Sequence, residues 1–264
     1  MFLLALCLFI IGVCIGSFLN VLIDRLPNNE NPLTGRSYCD KCRKTLKWYD
    51  LIPILSFVLL QGKCRSCKTK ISFYYPLVEF ITGLSFVGTF VFVYGLYGVG
   101  YNFQFLSFLY YPFIISILIV IFFADIKYGI IPDAVVYPAI VTTLMYQFLF
   151  AGQASIFNPL LSGTAAFIFF LFLFLITRGK GMGFGDVKLS LLIGLFLGYP
   201  LTLSAFYIAF LTGAIIGLIL IICRKKLLMG GTIPFGPFLV FGTLISFYFG
   251  ETIIRLGSRW LSLY

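Results

Sequence analysis

Only nine acidic side chains occur in 264 residues, and three of them stand at the edges of long apolar stretches. Asp125 ends one stretch in Phe123-Ala124-Asp125-Ile126-Lys127, and Asp133 opens the next after Ile131-Pro132. Asp186 opens a third, behind Gly181-Met182-Gly183-Phe184-Gly185. An ionisable group at membrane depth is costly, so each is a functional candidate. Two carboxyls that share a site cannot both ionise easily, and one retains a proton. The ionised partner can then deprotonate a water while the protonated one donates a hydrogen bond to a carbonyl, which is peptide hydrolysis by an acid pair. Asp125, at a helix end, sits where negative charge is disfavoured and needs a reason beyond structure; Asp186, at a helix start, sits where charge is favoured. Helix fields alone therefore put the charge on Asp186 and the proton on Asp125. Asp133, following Pro132, reads first as a helix-capping acid that shapes the site. Gly183 and Gly185 leave the backbone before Asp186 bare, open to the approach of another chain.

Seven cysteines supply the second constellation. Cys7, Cys14 and Cys223 lie within or at the ends of apolar runs and read as small hydrophobes. Cys39-x-x-Cys42 and Cys64-x-x-Cys67 form two pairs on a polar loop. Each spacing turns two thiolates onto one ion, and two such turns complete a tetrahedral zinc site with no open position. That makes the metal structural. Lys41, Arg43, Lys63, Arg65 and Lys68 flank the cysteines and offset the surplus negative charge of four thiolates. The chain has no histidine, which removes the commonest general base and the imidazole ligand alike.

The elements that must position these groups are membrane helices. The chain is 61% hydrophobic and 11% charged, with 32 Phe, against about 45–50% and 25% in soluble domains. Apolar runs at about 2–20, 73–95, 104–124, 133–151, 157–177, 186–199, 201–222 and 233–253 are set against a hydrocarbon core about 30 Å thick. The expectation is an all-α polytopic membrane protein of about eight transmembrane helices, 186–199 being the shortest. Ten of the 19 basic residues crowd into Arg25–Lys70, and more flank Lys127, Arg178/Lys180/Lys188 and Arg224/Lys225/Lys226. The alternate loops carry none, so the basic loops face the cytoplasm and both termini face out. Arg255 and Arg259 dissent, which a surface-lying final turn would accommodate. The net charge of +10 is thus a topology signal that also draws the loop to anionic lipid, rather than a nucleic-acid footprint. Residues 1–20 lack a basic n-region and a clear cleavage site, so they read as an uncleaved first span. Residues 21–72 form the cytoplasmic four-cysteine region and 73–264 the remaining helices.

Taken together, the blocks resemble the type IV prepilin peptidases, membrane aspartic proteases with a Gly-x-Gly-Asp signature. The similarity runs through Gly16-Ser17-Phe18-Leu19-Asn20-Val21, Arg25-Leu26-Pro27, the two cysteine pairs with Asp50-Leu51-Ile52-Pro53 between them, and Gly62-Lys63-Cys64-Arg65. It continues through Tyr75-Pro76-Leu77-Val78-Glu79, Asp125 to Asp133, Gly183-Phe184-Gly185-Asp186-Val187-Lys188 and Ile233-Pro234-Phe235-Gly236-Pro237. The resemblance implies cleavage of the basic leader of prepilins and pseudopilins after a glycine, with Asp125 and Asp186 matching the catalytic pair. It also implies methylation of the new N-terminal amine from S-adenosylmethionine, associated with the cysteine-bearing region. No Gly-rich methyl-donor loop of Rossmann type is present, and Gly62, Lys63 and Glu79 are the neighbours worth testing. Many relatives carry a further acid two residues after the first catalytic one; here that position is Lys127. The chief rival is an ion- or proton-coupled transporter using membrane carboxylates, disfavoured because the acids share one boundary rather than the midplane. A zinc-stabilised scaffold without chemistry is the other.

Overall fold

A computed structural model describes residues 2–39, 41–97, 105–150, 156–222 and 233–261. Cys223 and the basic trio Arg224, Lys225 and Lys226 lie outside the described residues. The described chain is helical: α1 Phe2–Arg25, α2 Leu55–Leu59, α3 Tyr74–Tyr97, α4 Phe105–Tyr128, α5 Asp133–Phe150, α6 Phe157–Ile176, α7 Phe184–Leu197, α8 Leu201–Ile222 and α9 Gly236–Leu261. Among the described residues, seven helices are long and apolar enough to cross a membrane. The eighth expected span is helical but is the 14-residue α7, roughly 21 Å long and short of a hydrocarbon core. Among the described residues no strand forms, and only two isolated bridges occur, Tyr38 with Thr45 and Lys63 with Lys70.

The chain divides into two compact units, Met1–Val120 and Ile121–Tyr264, with the boundary inside α4. In the first, α1 and α3 approach closely because three glycines face the contact. A Cβ on Gly12 would lie 2.9 Å from Gly83 Cα, and one on Gly16 would lie 2.7 Å from Glu79 Cα. Small residues of this kind let membrane helices pack backbone to backbone. A polar ladder then closes the end of the pair. Asn20 Nδ2 donates to Tyr75 O at 3.1 Å and the Tyr75 hydroxyl to Asp24 at 2.9 Å. The Arg25 guanidinium gathers the loop that follows, donating to the carbonyls of Asn31, Thr34 and Arg36.

In the second unit α7 is the buried element. Asp186, Val187, Leu189, Ser190 and Leu192–Phe196 are all buried, so most of this helix is enclosed, the face of Phe184, Lys188 and Leu191 excepted. It meets α6 at Gly194 and Gly163, where an added Cβ on Gly194 would stand 2.5 Å from Gly163 Cα. On its other side, α5 contributes Gln147 Nε2 to Leu195 O at 3.3 Å. Phe170, fully buried, stacks with Phe206, Phe210 and Phe235. The last helix runs on to Leu261 without a break, with Arg255 paired to Glu251 one turn back.

Candidate functional site

The four cysteines meet through two copies of one turn. In the first, Cys39 N–H donates to Lys44 O, Arg43 N–H to Cys39 O, and Leu46 N–H to Ser37 O. In the second, Cys64 N–H donates to Thr69 O, Lys68 N–H to Cys64 O, and Ile71 N–H to Gly62 O. The residue after each pair takes the left-handed conformation, Arg43 at φ 57 and Lys68 at φ 58, an uncommon state for non-glycine residues. The isolated bridges Tyr38–Thr45 and Lys63–Lys70 close the two turns. All four sulfurs then lie within 4.8 Å of one another, with Cys39 Sγ and Cys67 Sγ 3.8 Å apart. A tetrahedron with metal–sulfur bonds of about 2.3 Å has edges of about 3.8 Å, so the donor set fits a single zinc-sized ion. The cysteines are unpaired. Thr69, through its hydroxyl 3.1 Å away and its backbone, holds the Cys67 thiol down at about 6. Cys42, although the Lys44 amide favours its thiolate, is pushed up to about 11 by burial and by its three fellow cysteines. Four thiols this close do not all ionise without a cation. The loop between the turns is tied in by Asp50, whose carboxylate accepts from Arg65 Nε at 2.7 Å while the same guanidinium covers the Tyr49 ring.

Glu79, Gly62 and Lys63 are each held by different contacts. Glu79 is buried in α3 and accepts from the Ile54 amide at 2.7 Å. Gly62, at φ +65, turns over the Phe57 ring, and Lys63 is exposed at the base of the second cysteine turn. Among the described residues, no contact gathers the three around a methyl donor.

The acid pair lies wholly within the second unit. Asp125 is in the last turn of α4, and its carbonyl accepts from Gly129, whose φ of +66 ends the helix. Asp186 is the third residue of α7. Both side chains are buried, each residue only 6% exposed, and they feel each other as like charges. Asp186 lies in the first turn of α7, behind the N-cap Gly183. Gly236, the first residue of α9, lies against the Asp125 carboxyl. Both carboxyls therefore face a helix N-terminus, and the field asymmetry expected from the sequence, with the proton on Asp125, disappears.

The glycines differ in what they do. A Cβ on Gly236 would stand 2.5 Å from Asp125 Oδ2, and one on Gly185 would stand 3.0 Å from Ile131 Cβ. A Cβ on Gly183 would meet nothing closer than 3.9 Å, so the space beside Asp186 is open there. Gly236 was legible only as part of a motif, with no hint that it touches Asp125. Asp133 is not a cap. Its half-exposed carboxylate is paired with Lys188 Nζ of α7, while Pro132 O accepts from the Val135 and Val136 amides. The Lys188 ammonium also lies over the rings of Tyr137 and Phe184, so this pair fastens α5 to α7 beside the acids.

The model of the bacterial peptidase A24 N-terminal domain matches residues 10–93, and that of the type IV leader peptidase family matches residues 112–218. The chain belongs to the family of prepilin leader peptidase/N-methyltransferases. The protein so named from Bacillus subtilis (strain 168) is 33% identical over 94% of this chain and 95% of its own length. That from Neisseria gonorrhoeae is 31% identical over 96% and 93%, and that from Myxococcus xanthus (strain DK1622) 30% over 85% and 65%. No solved structure matches. The transporter reading finds no support.

Proposed function

We propose that this protein removes the basic leader of type IV prepilins and pseudopilins after a glycine at the cytoplasmic membrane face, with Asp125 and Asp186 as its catalytic pair. It then methylates the new N-terminal residue from S-adenosylmethionine. The observation that carries the peptidase reading is the pair itself: two buried carboxyls, interacting as like charges, one in the first turn of α7 and the other against Gly236 at the start of α9. Close carboxyls share a proton. The ionised one takes a proton from water as the oxygen attacks the scissile carbonyl carbon, and the protonated one donates a hydrogen bond to the carbonyl oxygen. When the tetrahedral intermediate collapses, the C–N bond breaks and the leaving amine takes a proton, so the pair returns to one shared proton. Asp133 and Lys188 hold α7 in place, and the open side of Gly183 admits an extended backbone.

The four cysteines would hold zinc as a closed structural site, giving a loop with little core of its own a fixed shape. S-adenosylmethionine supplies a methyl group on a sulfonium, and methyl transfer rests on the relatives' shared name; no residue is assigned to it. The positive-inside rule supports an orientation in a bacterial plasma membrane in which the acid pair's end of the helices faces the cytoplasm and both termini lie outside. The reading is tested by incubating a purified prepilin with the detergent-solubilised enzyme and with its Asp125→Asn and Asp186→Asn variants, followed by mass spectrometry. Loss of a leader-length fragment with wild type alone is expected, with a further methyl gained when the donor is added. Cleavage surviving in either variant would overturn the dyad.

A further inference from the structure

We propose that α2, the short helix between the two cysteine turns, is an embedded lipid anchor that lies in the headgroup–acyl boundary against the start of α3. The proposal stands on geometry in the first unit and does not depend on the catalytic reading. The Ile54 amide, immediately before α2, donates to Glu79 Oε2 at 2.7 Å, and the membrane-crossing part of α3 begins at Tyr74. Glu79 lies five residues on, roughly 7 Å along the helix axis, about the thickness of one interfacial layer. Its side chain leans back toward the helix start, so α2 begins at the level of the first turns of the span. The Phe57 ring packs edge-on against Phe73 at 6.1 Å, which lays the rest of α2 beside the same end of α3.

What α2 then presents outward is apolar. Leu55, Val58 and Leu59 share one face by their helical spacing and are 51%, 63% and 73% exposed. Phe73, which Phe57 of α2 meets, opens a stripe that must meet lipid. Phe73, just before α3, and Leu77, Phe80 and Leu84 on it follow one another at helical spacing, all of them exposed. Three large aliphatic side chains on five residues are poorly placed in water and well placed on an acyl surface. The charge pattern agrees. Exposed Lys63 and Lys70, paired across the bridge that follows α2, can carry their stems along the apolar surface and their ammonium groups to anionic headgroups. The backbone is held to this arrangement. Ile54 adopts φ 57, ψ −50, outside the regions open to a β-branched residue, and the buried Glu79 carboxylate is what its amide meets there. Glu79 is in this view a positioning residue that sets the depth of the loop.

The test uses the full-length protein in nanodiscs of mixed zwitterionic and anionic lipid. The chain has two tryptophans, Trp48 and Trp260; both are changed to Phe, and a single reporter is introduced as Val58→Trp or Leu59→Trp, with Phe73→Trp marking the lipid face of α3. Lipids brominated near the headgroup end of the acyl chain should quench both α2 reporters at least about twofold, as they quench the Phe73 reporter, while aqueous iodide quenches them little. Adding Glu79→Ala should raise iodide access at residues 58 and 59 and leave residue 73 unchanged. Quenching by iodide without quenching by bromolipid would put α2 in water and overturn the proposal. Protection from both quenchers would mean that protein, whether a second copy or another partner, covers this face, and would overturn it equally. A tightly bound metal at one per chain shows that the variants keep the folded loop.

Discussion

The four-cysteine turns and the acid pair reach their geometry by opposite routes. The sulfurs are aimed by backbone hydrogen bonds that each close within ten residues, from Ser37 to Leu46 and from Gly62 to Ile71. The carboxyls come from α4 and α7, and one of them is met by the start of α9. Nothing local holds those three helix ends together. They depend on glycine contacts such as Gly163 with Gly194 and on the tie between Asp133 and Lys188. A site built from turns needs only its own segments and an ion. A site built from helix ends inherits every error in helix packing.

The sharpest way to break this comparison is at the acids themselves. Asp125→Asn or Asp186→Asn should lower the rate of leader removal by about 10²–10⁴-fold, as expected when a general acid or base is lost, with bound metal unchanged by elemental analysis. At the other site, Cys64→Ser, or treatment with a strong chelator, should abolish stoichiometric zinc and open residues 37–71 to limited proteolysis. If the two regions are independent, the helix bundle keeps its thermal transition. Gly236→Ala should cost cleavage up to about 10²-fold, since the new methyl must displace Asp125 Oδ2 from a 2.5 Å approach; zinc content should not change. Gly194→Ala forces backbone against backbone at Gly163, an overpacking worth about 1–3 kcal/mol, read as a lower unfolding temperature in detergent. Lys188→Met should have the smallest effect, about 1 kcal/mol or less for a pair with a half-exposed partner.

Legibility divided along the same line. The cysteine cluster was readable because its ligands are two tetrapeptides whose spacing states the geometry. Asp125 and Asp186 were readable as candidates because a carboxylate beside an apolar run is anomalous wherever it falls. The helix ends that serve them were not. By its own helix Asp125 stands at an unfavourable C-terminus, which holds for α4 alone, but Gly236 at the start of α9 arrives from more than a hundred residues away. Asp133 read as a cap because capping is the local use of an acid after a proline, whereas Lys188 offered a partner that only packing could bring near. Glu79, a neighbour worth testing beside Gly62 and Lys63, accepts from the Ile54 amide, a contact that no local spacing announces.

By itself the sequence determined that this is a helical membrane protein, where its helices run, and which few polar residues have no ordinary reason to be there. Hydropathy and turn spacing are properties of short segments, and short segments are what a chain can state without folding. Tertiary structure alone decided that the 14-residue α7 is the buried element of its unit, that both acids face helix starts, and that the loop's short helix hangs from Glu79. Those outcomes turn on which distant backbones approach within van der Waals contact. Such an approach depends on small residues from two segments meeting, and neither segment specifies it alone.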